Sequence, residues 1–380
     1  MRAGPGQTVA GRYQVTDRQP ATARAAGPSR LATDLRSGHQ VLLEGLELPE
    51  LLVPELSGSA DFAASRWLDP AGILDEVRAV LAGTPGHARL RQCYEVFAED
   101  GLLWAAVEQP AAEPLPELLE AGPLSPYRAA ELAADLVAAL GAVHRGGRAH
   151  GNVLVEQVLV CEDGAALLGG QAIGAAEEAL ARRLGGADGR RWAQVRTGLL
   201  GARAERWAPE QLPTEGLPQP PDPGPAADLW ALGVLLQRVL TGQGPFSEQT
   251  PTALFAAIRA DRRADSAGCG PLRPLVDRLL AADPAKRPPV EEVRRWLTEL
   301  LAQAPEPYAP AVAEPSALPV LRPSWPLVRR ARRGRPAPVA PEHARHARGR
   351  GASPFLPVLL VGGVLLLMVL AIVGVVLFAG

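Results

Sequence analysis

The chain predicts an α+β fold in two lobes, a small β-rich lobe and then a large helical one, followed by a disordered linker and one transmembrane helix. Three observations predict it. Up to residue 108, short apolar runs alternate with turns built on Gly, as paired strands do. From residue 115 to 303, apolar residues recur every three or four positions, the period of helices buried on one face. Residues 355–379 carry no charge and come after a Pro- and Arg-rich stretch that has no apolar period.

Each element has its own signal. Gly11 to Val15 reads as a first strand; Leu31 to Asp34 and Val41 to Leu43, on either side of Arg36-Ser37-Gly38, read as a hairpin. A Pro-containing insertion, Leu48 to Pro70, leads to a helix from Ile73 to Leu81, with Leu74, Val77, Val80 and Leu81 at helical spacing and Glu76 beside that stripe. Cys93–Phe97 and Leu102–Val107, joined by Glu99-Asp100-Gly101, form a second hairpin. Glu108-Gln109-Pro110 then reads as a hinge. Beyond it come a short helix at Leu115–Glu120 and a long one at Tyr127–His144, the latter ended by Gly146-Gly147. Ala149 to Val160 is a loop entering a strand, and Leu167-Leu168 a second strand. An irregular Ala/Arg/Gly segment runs from there to Trp207. Helices recur at 226–240, 252–260, 272–281 and 290–303.

Composition narrows the function. The chain has 380 residues, enough for one large two-lobed domain or two small ones plus appendages. Nine arginines lie between Arg322 and Arg350 against one acid, Glu342; the remainder has 39 − 9 = 30 basic and 41 − 1 = 40 acidic residues, a net charge of −10. An acidic body argues against nucleic acid as a partner. Cys93, Cys161 and Cys269 are far apart, without a CxxC pair or a nearby His, and read as reduced core thiols. Residues 304–353 read as the linker. The 25 apolar residues 355–379 exceed the roughly 20 that span a bilayer core. The arginines on their N-terminal side place that side in the cytoplasm. The expected location is the cytoplasmic membrane, single-pass, held by this helix as a tail anchor, with the Arg-rich linker against anionic lipid.

Three motifs in order identify a resemblance. Ala226-Ala227-Asp228-Leu229-Trp230-Ala231-Leu232-Gly233-Val234, with Leu240-Thr241-Gly242 after it, is the most specific; Asp283-Pro284-Ala285-Lys286-Arg287-Pro288 follows, and Ala208-Pro209-Glu210 precedes. Together with the stretch starting at His150, they resemble the bacterial serine/threonine protein kinases of the eukaryotic-like type. The resemblance implies a kinase-like domain over residues 10–303, with a small lobe at 10–108 and a large lobe at 111–303. It implies framework roles for Glu76, His150, Ala208, Pro209, Glu210, Asp228, Trp230, Gly233 and Arg287. Asp228 would accept backbone N–H bonds from the loop at His150, and Glu210 would pair with Arg287.

The same resemblance marks what is missing. Phosphoryl transfer in this family uses a carboxylate base, metal-binding carboxylate and amide groups, and a lysine on the phosphates. The base position holds Asn152, the neighbouring lysine position Leu154, the second metal position Gln157, and the first metal position Gly169. The strand lysine is replaced by Glu44, which would face and repel Glu76. The only lysine in the chain is Lys286. The phosphate loop would fall at Gln19–Gly27, which has a single glycine, and between Gly169 and Glu210 the only hydroxyl side chain is Thr197.

The resemblance therefore implies a pseudokinase: no catalytic residues, no bound metal, no ATP–magnesium cofactor, and at most the hinge backbone at Glu108, Gln109 and Pro110 left to hold an adenine. Its expected work is membrane-tethered scaffolding or regulation through protein partners, such as an active kinase or its substrates. Two alternatives stand beside it, a divergent active serine/threonine kinase and a nucleotide-binding switch without phosphotransfer.

Overall fold

Period-two burial builds the first lobe. The computed structural model describes residues 4–18, 27–51, 66–186, 189–212, 223–246 and 250–304. Strands β1 (Thr8–Val9), β2 (Tyr13–Val15), β3 (Ser29–Asp34) and β4 (Gln40–Glu47) pair in succession, each antiparallel to the last. The expected first strand is thus preceded by a further short one, and β4 runs on past Glu44 rather than ending there. Within the expected insertion, β5 (Glu50–Leu51) pairs with β6 (Arg66–Trp67). Helix α1 (Ala71–Ala82) follows, then the hairpin of β7 (Cys93–Glu99) and β8 (Leu102–Glu108).

The main sheet has the order β1-β2-β3-β4-β8-β7. Both of its faces are covered, and alternation assigns each residue to one of them. Leu42 on β4, with Leu103, Ala105 and Val107 on β8, packs with Ile73, Leu74 and Val77 of α1. Val41 and Leu43, with Leu102, Trp104 and Ala106, face the other way onto Tyr13 and Phe97. The rings of Tyr13 and Phe97 stack at 5.6 Å.

The second lobe opens with β9 (Ala112–Pro114), α2 (Leu115–Leu119) and α3 (Pro126–His144). The start of α3 is set locally: Pro126 is its first residue, and the Ser125 hydroxyl accepts the Arg128 N–H. Strands β10 (Val158–Cys161) and β11 (Ala166–Leu168) join β9 in a small sheet, order β11-β10-β9.

The segment expected to be irregular is helical. Helix α4 (Gln171–Gly185) begins at Gly170, whose φ of 79° favours glycine, and α5 (Gly189–Leu200) follows. The reason is a buried stripe: Ala172, Ala176, Ala179 and Leu180 recur at helical spacing and join the α1–sheet core. Helices α6 (Pro225–Thr241), α7 (Pro251–Arg259), α8 (Arg273–Leu279) and α9 (Val290–Ala302) complete the lobe around one apolar core with α3. Gly233 lets α6 approach α8, since a Cβ there would lie 2.9 Å from the Leu279 Cβ.

Several expectations fall outside the described residues: most of the Gln19–Gly27 loop, the linker beyond residue 304, and residues 355–379. Among the described residues, no helix is long and apolar enough to cross a membrane.

Candidate functional site

Two anchors fix the frame of the site, and the first holds the loop between α3 and β10. Asp228, buried near the start of α6, accepts the His150 N–H on Oδ2 at 2.6 Å and the Gly151 N–H on Oδ1 at 2.9 Å. His144 Nε2 lies 2.8 Å from the same Oδ2. Each loop donor satisfied in this way avoids a desolvation cost of about 1–3 kcal/mol. His150 is buried, its Nδ1 accepts the Asn152 N–H at 3.3 Å, and its Nε2 has no hydrogen-bond partner. Burial pushes its pKa down to about 4, against the opposing pull of Asp228.

The second anchor is a two-toothed ion pair. Arg287 Nη1 and Nη2 donate to Glu210 Oε1 and Oε2 at 2.6 and 2.8 Å, and the remaining donors reach the carbonyls of Ala226, Ala281 and Ala282. The guanidinium also lies over the ring of Trp230, which is fully buried and stacked with Phe246. Ala208 and Pro209 form the turn that presents Glu210, closed by the Ala208 N–H on Gln211 Oε1 at 3.0 Å.

The positions that chemistry would need lie between these anchors. Asn152 is completely buried, and its Nδ2 donates to the Gly170 carbonyl at 2.8 Å, while Oδ1 has no partner. Helix α4 sits directly on it: a Cβ on Gly174 would come within 2.8 Å of the Asn152 Cβ. Gln157 and Gly169 meet through the Gly169 N–H on the Gln157 carbonyl at 2.8 Å, and the Gln157 side chain reaches Gly170, where an added Cβ would overlap its Oε1. Leu154 is half-buried at the turn before β10, and its carbonyl accepts the Gln157 N–H at 3.1 Å.

Glu44 and Glu76 do not face each other in repulsion. Arg91 Nη1 donates to Glu44 at 2.6 Å, with both side chains largely buried, and Glu76 is held by Arg182 at 3.0 Å and Arg183 at 3.4 Å. The physical reason is that each carboxylate found a cation from elsewhere in the chain, which costs less than two bare charges. Arg91 was not foreseen. Its Nε also donates to the Glu108 carbonyl at 2.6 Å, so the hinge backbone is already engaged, and its stem packs on Gly169. The only sequence signal for it was a buried acid without a lysine. Gln109 and Pro110 are half-buried beside this contact. A cavity of about 70 Å³ remains behind the hinge strand, lined by Glu44, Thr84, Arg91, Val107 and Gln171 among others.

Of the three cysteines, only Cys269 is buried; Cys93 and Cys161 are half-buried. Burial pushes the Cys93 thiol up to about 12 and Cys269 up to about 11, so both stay protonated at neutral pH.

Comparison with known proteins places this geometry. No protein-family model matches the chain. The serine/threonine-protein kinase PknL of Mycobacterium tuberculosis is 28% identical over 172 residues, covering 45% of this chain and 39% of that protein. CBL-interacting protein kinase 16 of Oryza sativa subsp. japonica is 27% identical over 265 residues, 69% of this chain and 51% of that protein. Tribbles homolog 3 of Homo sapiens is 42% identical over 88 residues, 23% of this chain and 24% of that protein. The chain thus spans less than two thirds of the length of each of these relatives. With relatives among the serine/threonine protein kinases and a mixed sheet-and-helix fold, the chain carries a protein-kinase-like domain.

Proposed function

We propose that this domain is a pseudokinase, a kinase-like fold that works by binding protein and transfers no phosphate. One observation carries the reading: Asn152, at the base position, is sealed beneath α4 with its amide spent on the Gly170 carbonyl. An amide accepts no proton at neutral pH, and a substrate hydroxyl would have to displace the helix to reach it. The surrounding residues fit ATP–magnesium poorly. Gln157 and Gly169 supply no carboxylate, Arg91 holds Glu44 and the hinge carbonyl, and no cluster of His, Cys, Asp or Glu among the described residues could hold a metal.

The framework anchors are independent of this chemistry, since Asp228 satisfies backbone donors of the loop and Arg287 ties Glu210 to the start of α6 whether or not phosphate moves. That is why such a fold suits scaffolding or regulation of a partner, such as an active kinase or its substrate. The uncharged stretch 355–379 tethers it to the cytoplasmic membrane, with the arginines of 322–350 on the cytoplasmic side.

The test is a thermal-shift titration of the full chain with ATP, with and without magnesium, together with a radiolabelled phosphotransfer assay. The expected result is no shift at millimolar ATP and no transfer. Binding to the native state alone would raise the melting temperature. A magnesium-dependent shift with label transferred would overturn the proposal, and a magnesium-independent shift without transfer would turn it toward a nucleotide switch.

A further inference from the structure

Helix α4 is bound to both lobes by contacts of different kinds. Toward the small lobe, Ala172, Ala176, Ala179 and Leu180 pack on the α1–sheet core, and Arg182 reaches Glu76. The apolar hold rests on Leu180 and three alanines, with Ile173 and Leu184 packed at its edge. Toward the large lobe, two adjacent acids meet two arginines. Arg206 Nη2 donates to Glu177 Oε2 at 3.0 Å, with both side chains at most 2% exposed. Arg196 Nε donates to Glu178 at 2.9 Å, and its guanidinium lies 3.8 Å from the centre of the Trp207 ring while Nη1 donates to the Gln211 carbonyl at 2.8 Å.

These arginines are not free to follow the helix. Arg206 immediately precedes Trp207-Ala208-Pro209-Glu210, the turn fixed by Arg287, and Arg196 is clamped on Trp207 in the same turn. Arg206 Nε and Nη1 have no hydrogen-bond partner among the described residues, so losing Glu177 would leave a buried cation still less compensated. The charge that holds the segment is also permanent. Between Gly169 and Glu210 the single hydroxyl is Thr197, half-buried on α5, so the negative charge comes from carboxylates that no enzyme adds or removes.

We propose that Glu177 and Glu178 are a fixed electrostatic latch that holds α4 shut over Asn152, and that α4 opens as one unit, separately from the large-lobe core, when the latch is broken. The inference deepens the non-catalytic reading and rests on it, because a resident α4 is what closes the site.

Hydrogen exchange on the full chain, read by mass spectrometry, tests it. In Glu177→Gln, exchange across Gln171–Gly185 should accelerate on the order of a hundredfold while Pro225–Thr241 stays as slow as in the wild type. Glu178→Gln, at a more exposed acid, should give about a tenfold change and remains usable if the first variant fails to fold. Parallel acceleration of both helices, or no acceleration of α4 in either variant, would overturn the latch and leave the non-catalytic reading untouched. Phosphotransfer appearing in a variant whose α4 has opened would do the reverse, supporting the latch and sinking the reading beneath it.

Discussion

His150 shows how a framework side chain becomes a liability of known sign. Its ring is buried, its Nε2 lacks a partner, and burial holds its pKa at about 4. Below pH 6.5 the unfolded chain takes up a proton that the native site refuses until about pH 4. Stability contributed by this group is therefore fully present above pH 6.5 and falls as the pH drops through that window, by on the order of 3 kcal/mol. His150→Asn should remove that slope, because an Asn carbonyl can still accept the Asn152 N–H. Urea midpoints at pH 5 and pH 7.5 check this, and an equal slope in the variant and the wild type would reject it. Arg91 is the counterexample of a charge made useful: one guanidinium neutralises Glu44 and occupies a hinge carbonyl.

At the scale of the element, glycine decides how α4 sits. Gly174 rests on Asn152, where an added Cβ would come within 2.8 Å of another Cβ, so Gly174→Ala should lower stability by about 1–3 kcal/mol as α4 or the loop gives way. Gly198, within α5, has nothing within 4 Å of its would-be Cβ. Gly198→Ala should instead raise stability by roughly 0.5–1 kcal/mol through lower unfolded-state entropy and better helix propensity. Chemical denaturation of the two variants reads both signs in one experiment; a neutral Gly174→Ala would mean that α4 does not press on the loop. The strands and most helices were legible as periods. α4 was not, although Ala172, Ala176, Ala179 and Leu180 recur at helical spacing, because a stripe carried mostly by alanine stands out less in a sequence than one carried by leucine and valine.

For the whole molecule, the described residues account for a kinase-like domain, and the proposed membrane tether, residues 355–379, lies outside them. Deleting those residues should move the protein from the membrane pellet to the soluble fraction, measured by fractionation with and without high salt. If the deletion variant stayed in the pellet until salt released it, the arginines of 322–350 rather than the apolar stretch would be carrying the attachment. A deletion variant that stayed in the pellet even in high salt would reject both as the tether.

The sequence by itself determined the features that are local. Alternation placed Leu42, Leu103, Ala105 and Val107 on one sheet face; Ser125 and Pro126 started α3; the order of the motifs around Glu210, Asp228 and Arg287 carried the kinase resemblance; and the amide at Asn152 could be read directly. Only the tertiary structure decided which charges meet. Glu44 finds Arg91 at a separation of 47 residues, Glu76 finds Arg182 at 106, and Glu177 finds Arg206 at 29. A carboxylate in a sequence states that a cation will be needed if it is buried, yet any of 39 basic residues could answer. The choice is made by which guanidinium the packed backbone brings within about 3 Å, since over longer distances water weakens the attraction until it no longer selects a partner.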